Sequence, residues 1–487
     1  MSELMDGTVT GASGMISLIE DELLPIFARD REKLDLIDEW SRWEPASPNI
    51  PARGDTREYR ALAANSRTPW PYLVIEAMAQ GLQVKGYRSD ARRENDDAWG
   101  YWQGNGMDRR QHQLHRTALT YGLSYASVSM GIDQLTGEPI PLIEGYSPRQ
   151  FAAFYADTRD EWPACALRAT RGSRGERQYV LWTPDAKTHL VKSPGAGETR
   201  YEWLVLGVER FDSPVTPVVR YVNRTDDEGR IWGEVEPIID LARRLNQTTF
   251  DRLVVQRFAA WVVRTISGMT LPEDNTESAK LRLAADRILV AEDPDTKFGS
   301  LAASPMDGFI SAHDSDLRDF AALTQVPPQM LLGQMANLSA EALNSAKDGF
   351  FQKQDLSKTN LGESHEALLR LCTVLDGKEL PSRASRSQIR WADKGAESFA
   401  AITDALTKLK TIGVPAEMLF EKIPGWTAED VELAKRLIES GDELSKLVSA
   451  LGSQVGPGQP GPTAPNTGPA PSPSINPGTS GSAGSGA

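Results

Sequence analysis

Cysteine and histidine are scarce: the 487 residues include two cysteines, Cys165 and Cys372, and five histidines. Two cysteines cannot build a disulfide framework and fit a reducing compartment. The single histidine pair at metal-ligand spacing is His112-x-x-His115, which a helix would place on one face. No third ligand lies near it in sequence, and Arg109, Arg110 and Arg116 crowd it with positive charge. Two surface histidines on a basic helix are therefore expected there, with no metal. His365-Glu366 begins like a zinc-protease helix, but Leu369 stands where the second histidine would have to be.

The chain also lacks a phosphate-cradling G-x-x-x-x-G-K-[ST] loop and a G-x-S-x-G nucleophile elbow. The carboxylate pairs Asp226-Asp227 and Asp293-x-Asp295 sit in turn-rich segments, where aspartate serves the turn itself. Arg168, Arg171, Arg174 and Arg177 straddle a glycine-containing loop and read as a solvated β-turn. No catalytic group and no cofactor are expected. No apolar run approaches a membrane span, and the opening MSELMDGTVTGASG has neither the basic nor the apolar region of a signal peptide. With 53 basic against 67 acidic residues the formal charge is −14, which excludes a surface that clings throughout to nucleic acid.

What is present is an ordinary globular composition, 40% hydrophobic and 25% charged, long enough for roughly three domains. Helical periodicity runs from Met15 to Trp43, and Pro69 and Pro71 pin the entrance to a helix that ends at Gly81. A helix near Gln111–Tyr121 feeds a strand over Gly122–Met130. From Pro139 to Val222 short alternating runs separated by turn residues predict an antiparallel β module. Near Trp232 the pattern changes to a long helix, from about Glu236 to Ile266, followed by a polar insert with strand candidates RILVAE and KFGSLA. Helix resumes over about Met306–Thr324, runs again to about Asp376, and returns after Ala396. Beyond Leu451 the chain carries no charge and consists largely of Pro, Gly, Ser, Thr and Ala, the composition of a flexible extension.

The densest local signal lies in Phe320–Gln354, FAALTQVPPQMLLGQMANLSAEALNSAKDGFFQKQ. Pro327-Pro328 ends one helix, since proline lacks the N–H and clashes with the preceding turn. Ser339 is suited to cap the next helix, with Glu341 at its positive end and Leu338 and Leu343 at the positions of a hydrophobic staple. An apolar loop set between such firm boundaries suggests a projecting element.

Several segments, in this order, resemble the portal, or head-to-tail connector, family of tailed double-stranded-DNA bacteriophages. They are YRALAANSRTPWPYLVIEAMAQGLQVKGY, ALTYGLSYASV, PVVRYVN before a long helix, TQVPPQMLLG with NLSAEAL, and QIRWADKGAESFAAITDALTKL followed by GVP. The resemblance covers roughly residues 15–450 and implies an α+β fold: an N-terminal helical segment (1–44), a β-rich wing (45–235), a stem helix (236–266), a small α/β clip (267–305) and a second stem helix (306–324). A tunnel loop (325–338), a channel helix and wing return (339–390), a helical crown (391–451) and a disordered tail (452–487) complete that anatomy.

The resemblance further implies a homo-oligomeric ring, a dodecamer, at one capsid vertex of the virion, assembled in the host cytoplasm. Double-stranded DNA would pass through it without sequence-specific binding; the terminase large subunit, a head-tail adaptor, the major capsid protein and scaffold proteins would be its partners. Met330, Leu331, Leu332, Gln334, Met335 and Asn337 would line the constriction, with Lys347 and Lys353 facing the lumen and touching phosphates in passing. An acidic chain without catalytic groups suits a conduit that must not hold what it passes. The alternatives are a metal-dependent hydrolase using His112 and His115, and a minor capsid or scaffold-binding protein.

Overall fold

The computed structural model describes residues 12–51, 56–90, 93–94, 96–133, 137–157, 159–172, 176–194, 201–259, 264–267, 297–300, 306–327, 330–331, 340–380, 387–392 and 399–415, with positions 419, 420, 423, 431, 434 and 436. The chain divides into two units, residues 1–394 and 395–487. Within the first, α1 (Ala12–Ser17) continues through a π-helical stretch, Leu18–Leu23, into α2 (Leu24–Ser41). Pro25 stands in the first turn of α2, directly after the π-helical stretch. α3 (Arg57–Asn65) and α4 (Trp70–Gln80) follow, the latter closed by Gly81. β1 (Val84–Asp90) and β2 (Arg93–Glu94) precede α5 (Asp96–Gly104) and α6 (Met107–Tyr121). Gly122, at φ 92°, ends α6 in the left-handed region that glycine enters without steric cost.

The β module forms as its alternation predicts. β3 (Leu123–Ile132) and β4 (Pro139–Tyr146) make a hairpin. β5 (Phe151–Phe154), β6 (Cys165–Arg171), β7 (Arg177–Trp182), β8 (Ala186–Pro194) and β9 (Tyr201–Arg210) pair antiparallel in chain order as one five-stranded sheet. β10 (Val218–Val222) returns to β3, giving a second sheet in the order β10-β3-β4. One face of the five-stranded sheet packs Phe151 and Trp182 against Tyr125, Tyr146 and Val218 of the second sheet. The opposite face takes Leu18, Ile19 and Leu23 of the N-terminal helix against Leu167, Leu181 and Leu190. Each such aliphatic side chain contributes roughly 1.5–3 kcal/mol on burial, so the first helix is an integral layer of the β module.

β11 (Arg224–Thr225) and β12 (Ile231–Trp232) form a small hairpin whose turn is tied by Asp226 Oδ1, which accepts from the N–H groups of Glu228 and Arg230 at 3.0 and 2.8 Å. A 3-10 turn, Glu236–Ile238, leads into α7 (Ile239–Ala259). The helix expected to run to Ile266 is described as far as Ala259; Arg264–Ser267 is instead β13, paired antiparallel with β14 (Lys297–Ser300). Thr265 and Ile266 are β-branched and lose side-chain freedom in a helix, which favours the strand once a partner is present. The KFGSLA candidate is that partner, whereas RILVAE lies outside the described residues.

α8 (Asp307–Thr324) lies along α7, held by Arg244, which reaches Asp316 at 2.9 Å and Asp319 at 3.3 Å. α9 (Ala340–Leu375) is the longest helix among the described residues, at 36 residues. β15 (Gln388–Trp391) returns to β1 in a three-stranded sheet ordered β15-β1-β2. The main core unites these elements, with Trp40, Met78, Trp102, Leu245, Phe320 and Leu368 all buried. In the second unit α10 (Phe399–Thr411) is described, and the further helices expected after Ala416 lie mostly outside the described residues. Among the described residues no helix is long and apolar enough to cross a membrane.

Candidate functional site: a loop anchored between two helices

α8 ends at Thr324 because Gln325 turns into the left-handed region, at φ 57°, the one non-glycine residue among those described to do so. That conformation costs a non-glycine residue roughly 1–2 kcal/mol, so the surroundings must hold it. The Thr324 hydroxyl donates to the Phe320 carbonyl at 2.7 Å and lies 3.3 Å from the Val326 N–H, which it accepts. Val326 is buried, and the Met330 N–H closes a turn on the Pro327 carbonyl at 2.9 Å. Met330 is about half exposed and Leu331 packs against the main core. Leu332, Gln334, Met335 and Asn337 lie outside the described residues, as does the expected cap at Ser339.

The two lysines of α9 differ. Lys347 is half-buried near the start of the helix. Lys353, expected to face a lumen, is instead enclosed: its ammonium lies 2.5 Å from Glu234 Oε2 and donates to the Thr324 carbonyl at 2.7 Å. Burial lowers its pKa while the Glu234 carboxylate opposes that loss, and the carbonyl it meets belongs to the negative end of the α8 dipole. Two helix turns of unrelated sequence are thus pinned at one charged point. Glu234 is itself fixed: Oε1 accepts from Asn223 Nδ2 at 3.1 Å and faces Arg224 at 3.2 Å.

Lys353 heads a polar line along α9 that sequence reading assigned to no role. Ser357 donates to Asn223 Oδ1 at 3.4 Å, Asn360 donates to the Asn223 carbonyl at 2.7 Å, and Ser364 donates to the Arg220 carbonyl at 3.1 Å. Their spacing of four, three and four keeps them on one face, so β10 and Asn223 just after it are docked to α9 through side chains rather than apolar contact alone. Gln354 turns the other way and donates to the carbonyls of Ala77 and Met78 at the end of α4. The signal available in sequence was the unusual run of polar residues at helical spacing over Lys353–Ser364; nothing local named its partners.

The histidines are also rearranged relative to expectation. His112 is half-buried, but His115 is wholly buried, not on the surface, and meets His365 across 250 residues of sequence. His115 Nδ1 lies 3.2 Å from the Leu82 carbonyl, so it carries the proton and donates. Its Nε2 then accepts from His365 Nε2 at 2.7 Å, and His365 Nδ1 accepts from the Tyr221 hydroxyl at 2.9 Å. Two imidazoles sharing a tetrahedral zinc at its usual bond lengths would stand about 3.3 Å apart. The 2.7 Å separation is that of a hydrogen bond between the two rings. Burial drives the pKa of His115 down to about 3 and that of His365 well below the usual histidine range, so both are neutral. Among the described residues no three His, Cys, Asp or Glu side chains converge on a metal position.

Comparison with known proteins places this architecture. Residues 24–444 match the family model described as phage portal protein, SPP1 Gp6-like. The portal protein of Mycobacterium phage D29 is 28% identical over 421 residues, covering 81% of this chain and 84% of that one. The portal protein of Mycobacterium phage L5 is 28% identical over 451 residues, covering 86% and 88%. Among solved structures, a chain of the virion of a native gene transfer agent particle aligns with a TM-score of 0.44 at 13% identity over 74% of this chain and 91% of that one. A chain from the neck of an empty gene transfer agent particle gives a TM-score of 0.42 at 14% identity with the same coverage.

Proposed function

This chain belongs to the phage portal protein family, and from that premise we propose that it forms a dodecameric ring at one capsid vertex through which viral DNA is packaged and ejected. In this reading the β module with its N-terminal helix is the wing, α7 and α8 form the stem, and β13 and β14 belong to the clip between them. The clip meets the terminase large subunit and then a head-tail adaptor, and the outer surfaces meet capsid and scaffold proteins. DNA passes through as a polyanion that is not held, which the net charge of −14 favours.

The observation that carries the reading is the fixing of the chain where it leaves α8, at residues 324–327. The chain leaves α8 at a left-handed residue, and Lys353 of α9 holds the last carbonyl of α8 while it pairs with Glu234. A loop whose first foot is fixed this firmly can present Met330, Leu331, Leu332, Gln334, Met335 and Asn337 as a collar around DNA. Lys347 stands on the α9 side as a passing contact for phosphate. Lys353 has no such part, because its charge is neutralised inside the subunit.

Deletion of Met330–Asn337 tests the proposal. Rings are expected to form, seen by negative-stain microscopy, while DNA packaging in a reconstituted system falls at least tenfold. Normal packaging by the deleted ring would overturn the role of the loop, and a protein that shows only monomers or dimers in every buffer would overturn the ring.

A further inference from the structure

The basic side chains that crowd α6 are of two kinds. Arg116 meets Glu76 at 2.8 Å. Arg110 donates one N–H to the Ile143 carbonyl at 3.1 Å, and among the described residues no carboxylate pairs with it. It is exposed beside a cleft of about 80 Å³ between α6 and β4, far below the roughly 300–1,000 Å³ of a drug-sized ligand pocket. Such a space admits one side-chain head group or a small ion.

The walls of the cleft offer donors. Arg110, Gln113 and Thr117 stand three and four residues apart on one face of α6, with Leu114 beside them. Ser147 faces them from just beyond the end of β4. β4 adds its backbone. Val128 of β3 donates its N–H to the Pro217 carbonyl, away from β4, and Ile143 opposite it donates outward to Asn105 Oδ1 at 2.8 Å. Gly145 repeats that outward direction, because alternate residues of an antiparallel ladder turn their N–H the same way. A Cβ at Gly145 would lie 2.9 Å from Leu114 Cδ2, so glycine lets α6 approach and leaves this N–H uncovered.

The nearby carboxylates are engaged elsewhere. Asp108 accepts from Trp102 Nε1 at 3.0 Å and from Gln103 Nε2 at 3.3 Å. Glu144 accepts from the Tyr146 hydroxyl, and alternation puts both on the other face of β4. A guanidinium ringed by amide and hydroxyl donors suits a carboxylate, whose two oxygens match its fork.

We propose that this cleft receives the carboxylate of an aspartate or glutamate from a second copy of this chain. Charge favours that occupant, since with 67 acidic against 53 basic residues each copy carries carboxylates in excess. The choice of a second copy rests on the ring proposed above, in which a head-to-tail contact brings two different patches of neighbouring copies together.

The full chain carrying Arg110→Lys is the test, treated with a water-soluble carbodiimide. The reagent joins a lysine amine to a carboxylate in contact with it as an amide, and takes up the water lost as a urea. Isotope-labelled and unlabelled copies are mixed first, so that a mixed-label peptide marks a bond between copies. Such a peptide is expected to join position 110 to an aspartate or glutamate. Arg110→Gln should weaken self-association about tenfold in sedimentation velocity, and Arg110→Lys much less. Rings without a bond from position 110 to a second copy would overturn the cleft and leave the ring standing. Bonded copies that never close into rings would overturn the ring and leave the cleft standing. Inorganic phosphate that stabilises the unaltered chain but not Arg110→Gln, with no bond between copies, would assign the cleft to a free anion and overturn the proposal.

Discussion

The Lys353 ammonium stands 2.5 Å from Glu234 Oε2, and both side chains are almost wholly buried. The pair joins α9 to the segment between β12 and α7, while the same ammonium holds the last carbonyl of α8. Removing one member leaves an uncompensated buried charge, whereas removing both does not.

Lys353→Met is accordingly expected to destabilise the subunit by about 3–5 kcal/mol. The double variant Lys353→Met, Glu234→Leu should recover most of that loss. Denaturant midpoints of the unaltered chain, the two single variants and the double variant form the cycle; a double variant that loses the sum of the two single losses would show that the pair is not coupled.

The buried histidines set an acid limit on stability. Their folded-state pKa values lie below the ordinary 6.5, at about 3 for His115 and lower than ordinary for His365. Below pH 6.5 the unfolded chain binds protons that the folded chain refuses, so stability falls as pH drops from about 6.5 toward 3. Each histidine contributes a slope of up to about 1.4 kcal/mol per pH unit in that window. Urea titrations between pH 4 and 7 should show a shallower slope in His365→Gln than in the unaltered chain.

Glu366 works in the opposite direction. Burial raises its carboxyl to about 7, although the Ile389 N–H it accepts at 3.0 Å partly counters the shift. The folded chain then holds a proton that the unfolded chain has released, so this contribution is present below the ordinary carboxylate range and lost as pH rises toward 7. Glu366→Gln keeps an acceptor for Ile389 and should raise the denaturant midpoint more at pH 8 than at pH 5. An equal gain at both would mean that the carboxyl titrates normally.

Two glycines should respond with opposite sign to alanine. At Gly122, φ is positive and an added Cβ would lie 2.7 Å from the Trp232 backbone, so Gly122→Ala should cost more than about 2 kcal/mol. Gly349 lies within α9 with open space around it, so Gly349→Ala should gain up to about 1 kcal/mol from helix propensity. Thermal unfolding of both variants reads the difference directly.

Local chemistry made much of this protein legible in sequence. Alternation marked β4 to β10, Pro71 and Gly81 bounded α4, and Pro327 lies just beyond the end of α8, because each of those rules acts over a few residues. The same locality explains what was missed. The stretch Arg264–Ser267 reads as a continuation of α7 until a strand some thirty residues later pairs with it. His115 reads as a surface residue until His365 and Tyr221 close around it, and Lys353 reads as a free cation until Glu234 arrives from another element. A buried polar side chain is stable only with its partner in place, and those partners sit far away in sequence. The sequence by itself determined the order and most boundaries of the elements and placed a loop between two firm helices. Only the tertiary structure decided which charges are neutralised inside the subunit and which apolar residues, those of β9 among them, remain outside.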